Sequence, residues 1–138
     1  MPDRSVARRY AQEALAAGDP TGWFERLYDA AERGEATVPW AELRPNPHLL
    51  TWAASRGVRG AGEAALVVGC GLGDDAEALA GMGFSVSAFD VAGTAIARCR
   101  ARFPDSPVRL DDERPPVRRL RAEYVAGPPL RQEHLSSQ

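Results

Sequence analysis

The chain has 138 residues, 17 of them basic and 19 acidic, and 44% of its residues are hydrophobic. This length predicts one domain, large enough to bury a sizeable core. The net charge of −2 argues against nucleic acid and anionic lipid as partners. No apolar run approaches the roughly 18–20 residues that span a bilayer, and a polar helix predicted near the N-terminus indicates a cytoplasmic, monomeric protein.

Residue types that never occur, or occur rarely, narrow the chemistry further. All 17 basic residues are arginine. Without lysine the chain has no phosphate-binding P-loop, no Schiff-base residue and no lysine general base. The two cysteines, Cys70 and Cys99, and the two histidines, His48 and His134, have no metal-ligand spacing. We therefore expect no metal site, and we expect two reduced thiols.

The first 58 residues predict an N-terminal helical lid segment of three helices. The first covers 4–17, with apolar positions at Val6, Tyr10, Ala14 and Leu15. The second is capped by Asp19, has Pro20 in its first turn and ends at Gly34, after Trp23, Leu27, Ala30 and Ala31. A proline-rich connection follows, and Asn46-Pro47 begins a third helix that ends near Gly57.

Residues 59–110 predict a partial Rossmann-like core, an α/β fold with a parallel sheet of about three strands. Strands are expected at 64–68, 84–89 and from 107 to 110, and helices at 74–80 and 93–103. The continuous apolar run at 64–68 is typical of a strand buried on both faces. In the second of these helices, Ile96 and Cys99 should face inward, and Arg98, Arg100 and Arg102 should form a solvated face.

Residues 111–138 form an Arg/Pro-rich tail with no long apolar run. This composition predicts a disordered or loosely packed segment.

A glycine-rich segment, Gly69-Cys70-Gly71-Leu72-Gly73, lies between the first strand and the next helix. Glycines let the chain turn sharply and let a ligand approach the backbone without meeting a Cβ atom. Asp90 follows the second strand, where a carboxylate can accept hydrogen bonds from both hydroxyls of a ribose. The combination predicts a nucleoside site at the carboxyl edge of the sheet.

The identity of that nucleoside depends on the residues after the glycines. The dinucleotide fingerprint requires glycine at its sixth position, where this chain has Asp74. Asp74 and Asp75 would repel a pyrophosphate but are compatible with a ligand that carries an ammonium and a sulfonium. A nicotinamide-dependent oxidoreductase is therefore disfavoured.

The spacing Gly-x-Gly-x-Gly within 65–80, followed by 88–96, resembles the class I S-adenosylmethionine-dependent methyltransferases. Trp23-Phe24, Val38-Pro-Trp40 and 45–47 look like the N-terminal helices of the branch that includes thiopurine methyltransferase-like enzymes. The resemblance covers roughly 19–110. It implies that S-adenosylmethionine is the cofactor, bound by Gly69, Cys70, Gly71, Gly73, Asp90 and Val91. Asp90 would take the ribose hydroxyls, or it would only cap a helix or hold a turn, and Val91 would line the adenine. The glycines could alternatively form a tight turn that is needed only for packing.

The implied activity is methyl transfer to a small molecule, with no catalytic residue identified. The family's fourth strand, which supplies residues near the transferred methyl, has no counterpart here. The chain is therefore expected to be C-terminally truncated, of marginal stability and without turnover on its own. A non-catalytic nucleoside-binding remnant or regulatory binding module remains the alternative.

Several other residues are weaker candidates for the site, and some of them allow a structural as well as a functional interpretation. Trp23 and Trp40 could contact the sulfonium by cation–π interaction, or Trp23 could belong to the core. Asp75 could cap the helix or lie near the ligand. His48 is expected to be solvated, and Cys70 to be a small buried residue rather than a nucleophile.

Overall fold

The computed structural model describes residues 3–113. Its elements, in chain order, are α1 (Ser5–Ala16), α2 (Gly22–Glu32), α3 (Pro47–Arg56), β1 (Ala64–Val68), α4 (Asp74–Gly81), β2 (Ser85–Phe89), α5 (Gly93–Arg102) and β3 (Arg109–Asp111). The predicted tail lies outside the described residues from 114 onward, and its first residue, Asp111, belongs to β3 instead. None of the helices in the described part is long and apolar enough to cross a membrane.

The three strands form a parallel sheet in the order β1-β2-β3. Ala64 pairs with Ser85 and Val68 with Phe89, while Phe89 also pairs with Asp111. Helices connect the successive strands, so the predicted Rossmann-like α/β fold with N-terminal helices is confirmed. This register places the residues that follow β1 and β2 side by side at the carboxyl edge of the sheet.

The core between α4 and the sheet is small and tightly covered. Four residues form its buried centre: Ala76, Val86, Ala88 and Val108. The prediction that β1 is buried on both faces is wrong. Ala64 and Val68 are exposed, Val68 with 68% of its surface accessible, and the three residues between them are only half-buried. Among the described residues, β1 is one of the two edge strands of the sheet, which leaves it with less cover than β2 has.

The N-terminal helices bury a second core against α5. Its buried members are Ala7, Leu27, Tyr28, Val38, Ala92 and Ala95. Glu25 of α2 adds a polar link, since its carboxylate accepts hydrogen bonds from the backbone nitrogen and the hydroxyl of Thr94 in the first turn of α5. The helices are thus fixed to the α/β core, and a domain boundary at residue 58 stays a prediction.

Helix ends follow the predicted signals in most cases. The Asn46 side chain accepts a hydrogen bond from His48 N at 2.9 Å, and Gly57 ends α3 with a φ of 57°. The second helix begins at Gly22 rather than at Pro20, with Thr21 at its N-cap position. The Asp19 carboxylate nevertheless accepts a hydrogen bond from Gly22 N at 3.0 Å, as a helix cap does. Leu15 does not face the core as predicted, since 68% of its surface is exposed.

Candidate functional site

The glycine loop (Gly69–Gly73) turns the chain from β1 into α4 with three glycines in the left-handed region. Their φ angles are 64° at Gly69, 54° at Gly71 and 93° at Gly73. A Cβ atom on Gly71 would lie 2.9 Å from Tyr28 Oη, and one on Gly73 would lie 3.0 Å from Cys99 Sγ. Residues with side chains would therefore be strained at Gly71 and Gly73 in two ways, by backbone conformation and by contact.

Asp90 holds the centre of this loop from the end of β2. Its side chain is buried, with 6% of the residue exposed. Oδ2 accepts a hydrogen bond from Gly71 N at 2.8 Å, and Oδ1 accepts one from Ala92 N at 2.9 Å. One carboxylate thus fixes both the glycine loop and the turn that begins α5. Each oxygen retains a lone pair, so both can accept a further hydrogen bond.

A salt bridge between Arg102 and Asp74 closes the loop from the side of α5. The two guanidinium nitrogens lie 2.8 and 2.9 Å from the two carboxylate oxygens, and one of them also donates to the Leu72 carbonyl at 2.7 Å. Their side chains are only 19% and 16% exposed. The prediction that Arg102 belongs to a solvated face is therefore wrong. Helical spacing shows on which face of α5 Arg102 lies, but it does not show that the Asp74 carboxylate of α4 lies within reach of that face.

Asp75 connects the glycine-loop side to the connection that precedes α3. Its Oδ1 accepts a hydrogen bond from Asn46 N at 2.7 Å. The cap position of α4 is occupied by Gly73, with no side-chain cap, so Asp75 is not the predicted cap. It belongs to the lining of the cavity described below.

Cys70 lies within the glycine loop, and Cys99 packs against the loop from α5. Cys99 Sγ donates to the Gly71 carbonyl at 3.1 Å, and Cys70 Sγ lies 3.9 Å from the same oxygen. Contact with the Cys99 thiol, and then burial, raise the pKa of Cys70 above its ordinary value. Cys70 is therefore a protonated thiol at neutral pH, which does not suit a nucleophile.

A cavity of about 790 Å³ lies between the glycine loop and the N-terminal helices. Its lining includes Gly69, Cys70, Gly71 and Gly73, four of the six residues predicted to bind the cofactor. Asp90 and Val91 are not in the lining. Asp90 is buried behind the loop, whereas 49% of the surface of Val91 is exposed. The structure thus brings the loop residues together at a cavity and places Asp90 beneath them.

Aromatic side chains form a second wall of the cavity, and Tyr28 Oη lies next to Gly71 of the loop. Trp23, Tyr28 and Trp40 line the cavity, and Trp40 Nε1 donates to Tyr28 Oη at 2.9 Å. Trp23 stacks on Phe24 with ring centroids 4.0 Å apart, and the ring of Trp40 meets that of Trp23 edge-on. Trp23 thus belongs both to the packed helices and to the cavity.

Sequence reasoning missed Tyr28. The available signal was its position four residues after Phe24, on the apolar side of α2. Burial raises the pKa of Tyr28 to about 12. It is a neutral phenol at physiological pH and cannot serve there as a base. His48, which was expected to be solvated, is exposed at the rim of the cavity.

Comparison with solved structures supports the fold. A structure from work on the conversion of a disulfide bond into a thioacetal group during echinomycin biosynthesis has a TM-score of 0.52 and 30% identity. The match covers 64% of this chain and 38% of that one. The glycopeptide N-methyltransferase MtfA complexed with sinefungin has a TM-score of 0.41 and 18% identity, over 53% of this chain and 31% of its own.

The bifunctional kinase-methyltransferase WbdD has a TM-score of 0.39 and 22% identity, over 62% of this chain and 19% of its own. The chain therefore spans less than two-fifths of the length of each of these structures. No protein-family model and no curated protein sequence matches it.

Proposed function

We propose that the cavity binds S-adenosylmethionine and that the site transfers the methyl group of this cofactor to a small molecule. One observation carries the proposal: the glycine loop, with its three left-handed glycines, lines the cavity at the carboxyl edge of a parallel sheet. Ligands of open α/β sheets bind at this edge, and glycines allow them to meet the backbone itself.

The charges around the loop support this cofactor over a dinucleotide. Asp74 is neutralised by Arg102, but Asp75 lines the cavity and, among the described residues, has only the backbone nitrogen of Asn46 as a hydrogen-bond donor. A carboxylate in this position attracts an ammonium or a sulfonium and repels a pyrophosphate. The rings of Trp23 and Trp40, which also line the cavity, can stabilise the positive charge of the ammonium or the sulfonium.

Asp90 is proposed as the ribose acceptor through the lone pairs that its two backbone hydrogen bonds leave free. In the described structure its carboxylate lies beneath Gly71 rather than in the cavity lining. Contact with a ribose therefore requires that the ligand reach past the edge of the loop. The backbone bonds keep the carboxylate in one orientation, which reduces the ordering cost of binding. Val91, which follows β2 and is itself exposed, is proposed to line the adenine.

The cofactor, when bound, supplies a methyl group on a positively charged sulfur, ready for displacement by a nucleophile. The chain's own contribution is to orient the reactants and to exclude water. The glycine loop and the aromatic side chains line the same cavity, so a cofactor on the loop and an acceptor on the aromatic rings would be close together. Tyr28 can act there as a neutral hydrogen-bonding group, since its phenol keeps its proton at physiological pH.

Isothermal titration calorimetry with S-adenosylmethionine, S-adenosylhomocysteine and NAD tests the proposal. We expect both sulfur compounds to bind and NAD to give no heat. Heat from NAD alone would contradict the assignment. A second assay follows conversion of S-adenosylmethionine to S-adenosylhomocysteine with candidate acceptors. Binding without conversion would favour the nucleoside-binding module instead.

An Asp75→Asn variant makes the titration sharper. Asparagine keeps an oxygen for Asn46 N but removes the charge, so affinity for the cationic S-adenosylmethionine should fall about three- to fivefold. Affinity for the uncharged thioether of S-adenosylhomocysteine should change less. Glu77→Gln is the matched control, because Glu77 lies in the same first turn of α4 but outside the cavity lining. Equal effects of the two variants would remove Asp75 from the site.

A further inference from the structure

The third wall of the cavity is formed by one face of α1. Arg4, Ala7, Arg8 and Ala11 line it, at the spacing that places residues on one side of a helix. The alanines leave space between the helix and the cavity, and the two arginines follow each other by one turn. Like charges four residues apart destabilise a helix by a few tenths of a kcal/mol. This pair is therefore a cost to α1 in the absence of a negative partner.

In the part of the chain that the structure describes, the carboxylates that line the same cavity form no salt bridge with Arg4 or Arg8. Asp74 is paired with Arg102, Glu42 with Arg44, and Asp75 accepts from Asn46 N. Within residues 3–113, neither Arg4 nor Arg8 takes part in a salt bridge or a side-chain hydrogen bond. These two guanidinium groups are positive charges at the cavity without a carboxylate partner among the described residues.

The other side of α1 shows the opposite arrangement. Arg9 lies 3.9 Å from Glu13 and above the ring of Tyr10, and Arg26 of α2 also binds Glu13 at 3.0 Å. Arg9 does not line the cavity. Arg9, the arginine of α1 outside the cavity lining, therefore has a partner within the protein, whereas Arg4 and Arg8 have none among residues 3–113.

The tryptophans that line the same cavity indicate which kind of molecule would carry an anion that binds these arginines. Trp23 and Trp40 present ring surface to the cavity, and the nitrogens of both indoles are already bonded, to Pro20 O and to Tyr28 Oη. Their remaining capacity is for apolar and aromatic contact. Guanidinium groups, in turn, bind carboxylates with two parallel hydrogen bonds.

We propose that the methyl acceptor is a small aromatic carboxylate, held by Arg8 and Arg4 through its carboxylate and by Trp23 and Trp40 through its ring. A hydroxyl, amine or thiol elsewhere on the acceptor would form the new bond to the methyl carbon as the sulfur–methyl bond breaks. S-adenosylhomocysteine would leave, and the proton of the nucleophile would pass to water. This rests on the proposed function, since it names the acceptor for the same cavity. A second source of a carboxylate is the amino-acid part of the cofactor, and the experiment below separates the two.

The test uses acids and their uncharged amides: indole-3-acetate with indole-3-acetamide, and salicylate with salicylamide. Binding is measured by calorimetry on the full chain, with and without saturating S-adenosylhomocysteine. We expect the acids to bind about tenfold more tightly than the amides, because only the acids form charge-assisted hydrogen bonds. In Arg8→Gln this preference should disappear, while Arg9→Gln, the control on the same helix, should keep it. Equal binding of acids and amides, or no binding by either acid, would overturn the proposal.

Titration of Arg8→Gln with S-adenosylhomocysteine and with methylthioadenosine, which lacks the amino-acid part, identifies the source of the anion. Unchanged affinities for both support the acceptor. A loss confined to S-adenosylhomocysteine would assign the arginines to the cofactor and overturn the proposal. If wild type fails to bind S-adenosylhomocysteine yet prefers the acids through Arg8, the anion site stands and the proposed function falls.

Discussion

Two walls of the cavity, the glycine loop and the aromatic wall, are held in place by different interactions. The glycine loop is held by hydrogen bonds from charged side chains. Asp90 accepts from two backbone nitrogens, and Arg102 donates to the Leu72 carbonyl and forms a salt bridge with Asp74. The aromatic wall is held by ring packing and by one hydrogen bond between Trp40 and Tyr28. Directional bonds specify one loop shape, whereas ring contacts tolerate small shifts. We therefore expect the loop to be rigid and the aromatic wall to adapt to its ligand.

Asp90→Ala should have the largest effect on stability. It removes the acceptor of two buried backbone nitrogens, each bond to a charged group contributing about 1.5–3 kcal/mol, so we expect a loss of about 3–5 kcal/mol in chemical denaturation. In a variant that still folds, affinity for S-adenosylhomocysteine should also fall, by about 1.5–3 kcal/mol if Asp90 binds the ribose. Asp75→Ala removes a single hydrogen bond, which is exposed, so it should lower the free energy of unfolding by only about 1 kcal/mol. Similar losses for the two variants would contradict the rigid-loop view.

Arg102→Met should be the next most harmful change. It leaves Asp74 in a mostly buried position without its partner and removes the donor to Leu72 O, at an expected cost of about 3 kcal/mol. Arg98→Met is the control, because its partner Glu32 and Arg98 itself are about half exposed and such pairs contribute less than about 1 kcal/mol. Comparable denaturation midpoints for the two variants would show that the loop does not depend on this salt bridge.

The burial of Tyr28 makes the free energy of unfolding decrease at alkaline pH. Its phenol ionises near pH 10 when unfolded but only at about 12 when folded, because burial disfavours the phenolate. This contribution is fully present below about pH 10 and is lost as the pH rises to about 12, for a total on the order of 2 kcal/mol.

Denaturation of wild type and Tyr28→Phe over this pH range measures the effect. The fall should be smaller in Tyr28→Phe, and Tyr10→Phe, which leaves Tyr28 intact, should retain it. A parallel decline in all three proteins would mean that Tyr28 ionises in the folded protein as easily as in the unfolded one.

Trp40→Phe should have the smallest effect. It keeps an aromatic ring in the wall and loses the hydrogen bond to Tyr28, which is worth about 1 kcal/mol in a half-exposed position. Trp52→Phe is the control, since Trp52 is similarly exposed, at 49%, but lies outside the cavity. A loss for Trp40→Phe as large as that for Arg102→Met would show that the aromatic wall is as rigid as the loop.

Most elements could be predicted because their signals are local. Asn46-Pro47 and Gly57 set the ends of α3, and the glycines after β1 set the loop, since capping and left-handed backbone depend on the residues themselves. The errors fall where a partner is distant in sequence. Arg102 and Asp75 find partners 28 and 29 residues away. No periodicity in one helix reveals such contacts.

The sequence by itself determined the parallel α/β arrangement and the site at the end of β1, because strand and helix patterns and glycine positions are properties of short segments. Only the tertiary structure decided what surrounds that site. It placed Asp90 beneath the loop, brought Tyr28 to Gly71 and turned Arg4 and Arg8 toward the cavity. These relations depend on how helices pack across the sheet, and packing is decided by the summed contacts of residues that are far apart in the chain.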